Sequence, residues 1–202
     1  MSGIHFDDVT STAICALHET RLARGTQDGP VVFNDGVWLW IETNHRCNSA
    51  LWDEEDQARR RDVADAAIAA NKRAIDGFNQ RRNDAIEKID ETLLERLAGI
   101  VPAADAWHNS ESAGGIVDRL SILALKIFHM HAQVTRADAS EEHRAACRAK
   151  HARLQQQRAD LGGCLDALLT RALEGRAYWR IYRQYKMYND AALNPHLYGG
   201  KR

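Results

Sequence analysis

The stretch "SAGGIVDRLSILALKIFHMH", residues 112–131, decides how this chain folds. Wound into a helix, it places Ile116, Leu120, Leu123 and Ile127 on one side and Val117, Ile122, Leu125 and Phe128 over most of the other. A helix apolar all round is a buried helix. Yet the same stretch carries Asp118, Arg119, Lys126 and His129. At about 100° per residue, Asp118 and His129 project within about 20° of each other, and Arg119 and Lys126 lie roughly 80–100° away, so all four fall on one half of the helix. Unpaired charge in a core costs several kcal/mol, comparable with the whole stability of a small domain. Polar partners or a solvated pocket are therefore expected to face this helix.

The best source of partners is "QARRRDVADAAIAANKRAIDGFNQRRNDAIEKIDETLLERLAG", residues 57–99. Its apolar stripe is Ile68, Ile75, Phe78, Ile86, Ile89 and Leu93. Lys72, Asn79, Asn83 and Asp90 sit on one shoulder of that stripe, with Asp76 and Glu87 just beyond. A Trp-rich helix before it, "GVWLWIETNHRCNSALWDEED" (36–56), repeats Trp38, Ile41, His45, Asn48 and Trp52 at three- and four-residue steps on one face. Polar groups bordering apolar stripes on three helices point to a lined pocket.

The rest of the chain reads the same way. A first helix is expected over about 7–24, stopped by Gly25, and Asn34 or Asp35 caps the second, which either continues into the third or bends near Asp56. "NSES" (109–112) offers caps for a fourth helix from Ala113 or Gly114 to about Arg136. Ser140 with Glu141 and Glu142 opens a fifth, whose face is Cys147, Leu154, Leu161, Leu165 and Leu168. Gly175 either interrupts the fifth helix or separates it from a last one over "RAYWRIYRQYKMYND", packed by Tyr178, Ile181, Tyr185 and Tyr188. The three prolines fall where periodicity stops, and "GPVVFNDG" (29–36) is the only strand candidate, without a partner run. The expectation is an all-α, single-domain helical bundle of five or six helices with long central helices, spanning 1–202.

Composition narrows the function classes. Lys plus Arg (27) nearly balances Asp plus Glu (28), which argues against general affinity for nucleic acid or an anionic membrane. No window of about 18 apolar residues is present and no secretory leader is visible, so a cytoplasmic protein without membrane insertion is expected. Cys15, Cys47, Cys147 and Cys164 lack CxxC spacing and read as free, mostly buried thiols.

Motifs of known chemistry are scarce. Di-iron bundles need two ExxH pairs, and only Glu42 with His45 fits. His143, Cys147 and His151 recur at four-residue steps, but the row spans about 12 Å, too long for its ends to share one ion. No nucleophile elbow or phosphate-binding loop occurs, so neither cofactor nor metal is expected. The Gly pair at the start of the fourth helix, with Ser110, Ser112 and Arg119, offers amides to a phosphate or carboxylate, against the plainer reading of a helix cap.

The strings "NHRCNSALWDEEDQARR", "KRAIDGFNQRRNDAIEKID", "NSESAGGIVDRLSILALKIFHM" and "YRQYKMYNDAALNP" closely resemble a bacterial domain-of-unknown-function family, family 4254, over about residues 40–198. Residues 1–34 form an N-terminal helix and loop before that region. Ala191 departs from the pattern, in which proline commonly follows the Asp. The resemblance implies a helical fold and a bacterial source. It also implies, by association with glycosyltransferases of lipopolysaccharide or capsule assembly, a link to surface-glycan biosynthesis. It carries over no catalytic residue.

The leading expectation is thus an accessory protein or enzyme that binds an anionic, sugar-like ligand. Asp118, His129, His45, Asp84 and Glu87 are the candidates for proton transfer or hydroxyl orientation. Arg119, Lys126, Asn48, Asn79, Asn83, Lys186, Asn189 and Asp190 are the candidates for binding. The rival is a non-catalytic interaction module whose polar network fixes helix register, and the long helices suit a homo-oligomer.

Overall fold

The computed structural model describes residues 6, 8–25, 32–185 and 190–195. Among them are five helices: α1 (Ser11–Arg24), α2 (Gly36–Gln57), α3 (Asp65–Arg96), α4 (Ala113–Thr135) and α5 (Glu141–Leu173). Side-chain oxygens close three N-termini, Thr10 accepting from the amide of Ala13, Ser112 from Gly115 and Ser140 from His143. Residues 58–64 break the second helix from the third, so that α2 and α3 form one antiparallel hairpin; α4 and α5 form another across 136–140.

The stretch quoted first is the hub, since α4 is in contact with each of the other four helices and no other helix is. Ile116, Val117 and Leu120 pack with Ile14, Ile41, Ile89, Leu93 and Leu165 in one core. Fully burying a side chain such as Leu120 stabilises by roughly 1.5–3 kcal/mol. Burial is not complete all round, however. The C-terminal half of α4 is covered on fewer sides, and Phe128 is 45% exposed, with Arg119 and Lys126 also in solvent. No described helix is long and apolar enough to cross a membrane.

The chain after α5 corrects the expected last helix. Gly175, at φ +70°, ends α5 in the left-handed region that glycine tolerates. The backbone then extends, and β2 (Ala177–Tyr178) pairs in parallel with β1 (Trp107–His108). The amides of Ala103, Trp107 and Asn109 donate to the carbonyls of Gly175, Arg176 and Tyr178, each at 2.9 Å. Trp179 is buried, whereas Tyr185, expected to pack, is 85% exposed; Tyr188 lies outside the described residues. The described part of "GPVVFNDG" is no strand either: the amides of Val32 and Phe33 donate to the Glu42 carboxylate at 3.0 and 3.3 Å.

Candidate functional site

Asp118 is 4% exposed on α4, on the side facing α2 and α3. One carboxylate oxygen accepts from Asn44 Nδ2 and Asn48 Nδ2 (both 2.9 Å) and from Arg82 Nε (2.7 Å). The other accepts from Arg82 Nη2, completing a two-pronged ion pair. Asn44 and Asn48 share a face of α2 because they stand one turn apart. The network continues inward: Asn48 Nδ2 reaches Ser121 Oγ at 3.1 Å, and His45 Nδ1 lies 2.8 Å from the same hydroxyl. His45 in turn stacks on His18 of α1, with ring centroids 4.4 Å apart. Glu42 anchors a second buried group, pairing with Arg21.

In front of the Arg82–Asp118 pair opens a cleft of about 630 Å³ between α3, the start of α4 and the segment 181–184. Asp76, Asn79, Asn83 and Glu87 line it from α3, Ser110, Ser112 and Gly115 from the turn into α4, and Tyr182 and Gln184 from the far rim. The rim is strapped down. Arg183 pairs with Glu87 (2.8 Å) and Glu91 (2.7 Å), and the Gln184 amide donates to Glu87 at 3.2 Å.

Asp90 sits at the inner end, 2% exposed, accepting the Gly114 amide at 2.8 Å. Thus the anion that the start of α4 receives comes from α3 itself. With the Gly115 amide donating to Ser112 at 3.1 Å, this fits the plainer reading of a capped helix start rather than a phosphate site. Burial pushes the Asp90 carboxyl up to about 6, although its hydrogen bonds act in the opposite sense.

The expected site residues divide. Asp118, Asn79, Asn83, Glu87 and Arg119 line this cleft, Arg119 at its edge in an exposed pair with Glu111 at 2.8 Å. Asn48 supports it from behind. His45 has no exposure and lies behind Ser121, which places it out of reach of a guest in the cleft. Asp84 points to solvent, held by Gln80 at 2.8 Å. Lys126 and His129 line a different cleft altogether. Asp190 is exposed and accepts the Ala192 amide at 2.7 Å, while Lys186 and Asn189 lie outside the described residues.

The convergence of all four α4 charges is therefore corrected, because a helical wheel gives direction and not height. From Asp118 to His129 the helix rises about 16 Å. Arg82, Asn44, Ser121 and Asp90 were missed as site residues. For Arg82 a signal existed, since it stands seven residues from both Ile75 and Ile89, inside the apolar stripe.

Cys147 Sγ is 3.4 Å from His143 Nε2, whereas His151 faces His131, with ring centroids 5.5 Å apart. Among the described residues no group of three His, Cys, Asp or Glu assembles for a metal. All four cysteines are free, Cys47 and Cys147 buried and Cys164 exposed.

The buried histidines make stability depend on pH. Desolvation holds His18 well below its ordinary value and lowers His45 to about 4. Between about pH 6.5 and 4 the unfolded chain takes up protons that the folded chain refuses, so stability present above 6.5 is lost as pH falls. Asp90 acts in reverse, because the folded state takes its proton over pH 3.8 to about 6. By this linkage His45 alone removes about 2 kcal/mol at pH 5 and Asp90 returns about 1, with His18 adding to the loss. Urea midpoints are expected to fall between pH 7.5 and pH 5, and a His45→Gln variant to show a shallower fall; a flat profile contradicts this.

A family model described as Protein of unknown function (DUF4254) matches residues 38–181, more than half of the chain. The chain belongs to this family. No curated protein and no solved structure matches it. The DUF4254 region begins in the first turn of α2 and ends at Ile181, so it contains the Asp118 network and the cleft except Tyr182 and Gln184. His18, which stacks on His45, and Arg21, the partner of Glu42, stand on α1, outside the match.

Proposed function

We propose that the α3–α4 cleft binds a hydroxyl-rich, sugar-like ligand, as part of an accessory protein or enzyme of bacterial surface-glycan assembly. The observation that carries this reading is the lining: planar amides and carboxylates (Asn79, Asn83, Asp76, Glu87) face one opening, with the fixed Arg82–Asp118 pair as its inner wall and Tyr182 at its rim. Such groups offer paired donors and acceptors to vicinal hydroxyls, and a tyrosine ring offers a flat face to a pyranose. The anionic character expected of the ligand does not suit this cleft. Asp76, Glu87, Asp90 and Asp118 stand against Arg82 and Arg119, and both arginines are already paired. Were a proton to be moved here, Asp90 is the group poised near neutrality.

A thermal-shift screen of free sugars, sugar phosphates and sugar nucleotides tests the proposal. At about 100-fold excess over its Kd, a binder stabilises by about 2.7 kcal/mol, a rise of about 5–10 °C for a chain of this size. The shift is expected to vanish in a folded Asn79→Ala/Asn83→Ala variant. If no sugar raises the melting temperature at millimolar concentration, or the double variant keeps the whole shift, the reading is lost. A second reading, a structural register device, is favoured for the inner layer alone, where Asn44, His45 and Ser121 have no exposure.

A further inference from the structure

We infer that the cleft between the C-terminal half of α4 and the N-terminal half of α5 is a separate site, for a small anion that carries a flat aromatic ring. This site shares no lining residue with the α3–α4 cleft. Its volume is about 590 Å³, within the roughly 300–1,000 Å³ of small-molecule pockets. Two helices supply it with matching sets at i, i+3, i+4 and i+7: Lys126, His129, Met130 and Gln133 from α4, and Lys150, Arg153, Leu154 and Gln157 from α5. That spacing aims each set along one face into the same opening.

The charge pattern identifies the sign of the guest. Most other arginines on these helices are matched, Arg119 with Glu111, Arg144 and Arg148 with Glu141, and Arg158 with Glu19, while Arg171 lies over the Trp107 ring. Among the described residues, Lys126, Lys150 and Arg153 have no such carboxylate. Asp56 is the one acidic lining residue, so the opening carries a surplus of two positive charges. Three such cations around one opening favour an anion by Coulomb attraction.

The wall indicates its shape. Trp52 and His129, which both line the cleft, stack in parallel, centroids 4.3 Å apart and planes 3° apart. With Met130 and Leu154 beside them, these rings give the cleft an aromatic and thioether-rich side, which suits an aromatic ring. Phosphate, carboxylate or sulfonate on that ring meets the cationic rim.

The test uses 8-anilinonaphthalene-1-sulfonate, a ring-bearing anion whose fluorescence rises in apolar surroundings, with adenosine monophosphate and adenosine as competitors. Lys150 and Arg153 are exposed on α5, so Lys150→Glu/Arg153→Glu is expected to leave the melting temperature within a few degrees of the parent. The same variant is expected to bind the dye at least tenfold more weakly. The monophosphate should displace the dye at least tenfold better than adenosine, raised salt should weaken both anions, and Asn79→Ala/Asn83→Ala should change nothing. Dye affinity unchanged by the charge reversal, or equal competition by adenosine and its monophosphate, overturns the inference. Neither result bears on sugar binding in the α3–α4 cleft.

Discussion

Replacing Asp118 with alanine is expected to destabilise the protein by about 3–5 kcal/mol, the range for removing one partner of a buried ion pair. The variant leaves the Arg82 guanidinium half-sheltered without its carboxylate, and leaves Asn44 and Asn48 with amide donors aimed at an empty position. Asp118→Asn preserves the shape and offers little relief, because an amide NH2 would replace an oxygen that now accepts from Arg82 or from both asparagines. Chemical denaturation of Asp118→Ala, Arg82→Ala and the double variant closes a cycle. The double should fall short of the sum of the singles by about 0.5–3 kcal/mol, as groups in one network do. Strict additivity would mean that the two side chains do not work as a pair.

Gly114→Ala should cost nearly as much, about 3 kcal/mol, equivalent to a melting temperature lower by roughly 6–12 °C. A methyl group at Gly114 would run into the Ile86 carbonyl of α3 and come within 2.9 Å of Asp90 Oδ2. Backbone cannot swing aside as a flexible side chain does, so α4 must lift from α3, weakening the bond from the Gly114 amide to Asp90. Alanine's better helix propensity, worth up to about 1 kcal/mol, offsets only part of this. Gly163→Ala is the control: a methyl there meets nothing within 4 Å on the exposed side of α5, and the variant should match or exceed the parent in stability. Equal melting of Gly114→Ala and the parent would refute the close contact.

These two positions show what the sequence could and could not reveal. Asp118 was readable as a buried charge because it stands in an otherwise apolar helix, and Ser112 and Ser140 were readable as caps because each precedes a periodic run. Arg82 was not, since an arginine on an amphipathic helix is ordinarily solvated; only its place between Ile75 and Ile89 hinted otherwise. Asn79, Asn83 and Glu87 were found from their position beside the stripe, which is a local property. Gathering Asp118, Arg119, Lys126 and His129 into one pocket failed because their shared direction said nothing of their separation along α4. The segment from Arg176 onward has helical spacing, but the pairing of Ala177 with Trp107 and the burial of Trp179 override it. No local pattern reports a partner 70 residues away.

That small parallel pair has a bearing on how the molecule assembles. By joining Trp107 to Ala177 it pins both ends of the α4–α5 hairpin, turning it into a lasso rather than an open arm. Closing a loop of that length opposes assembly by about 4 kcal/mol of chain entropy, more than a few backbone bonds return. The knot of the lasso can therefore tighten only once α4 and α5 have already met, which makes it a late seal upon the hub helix.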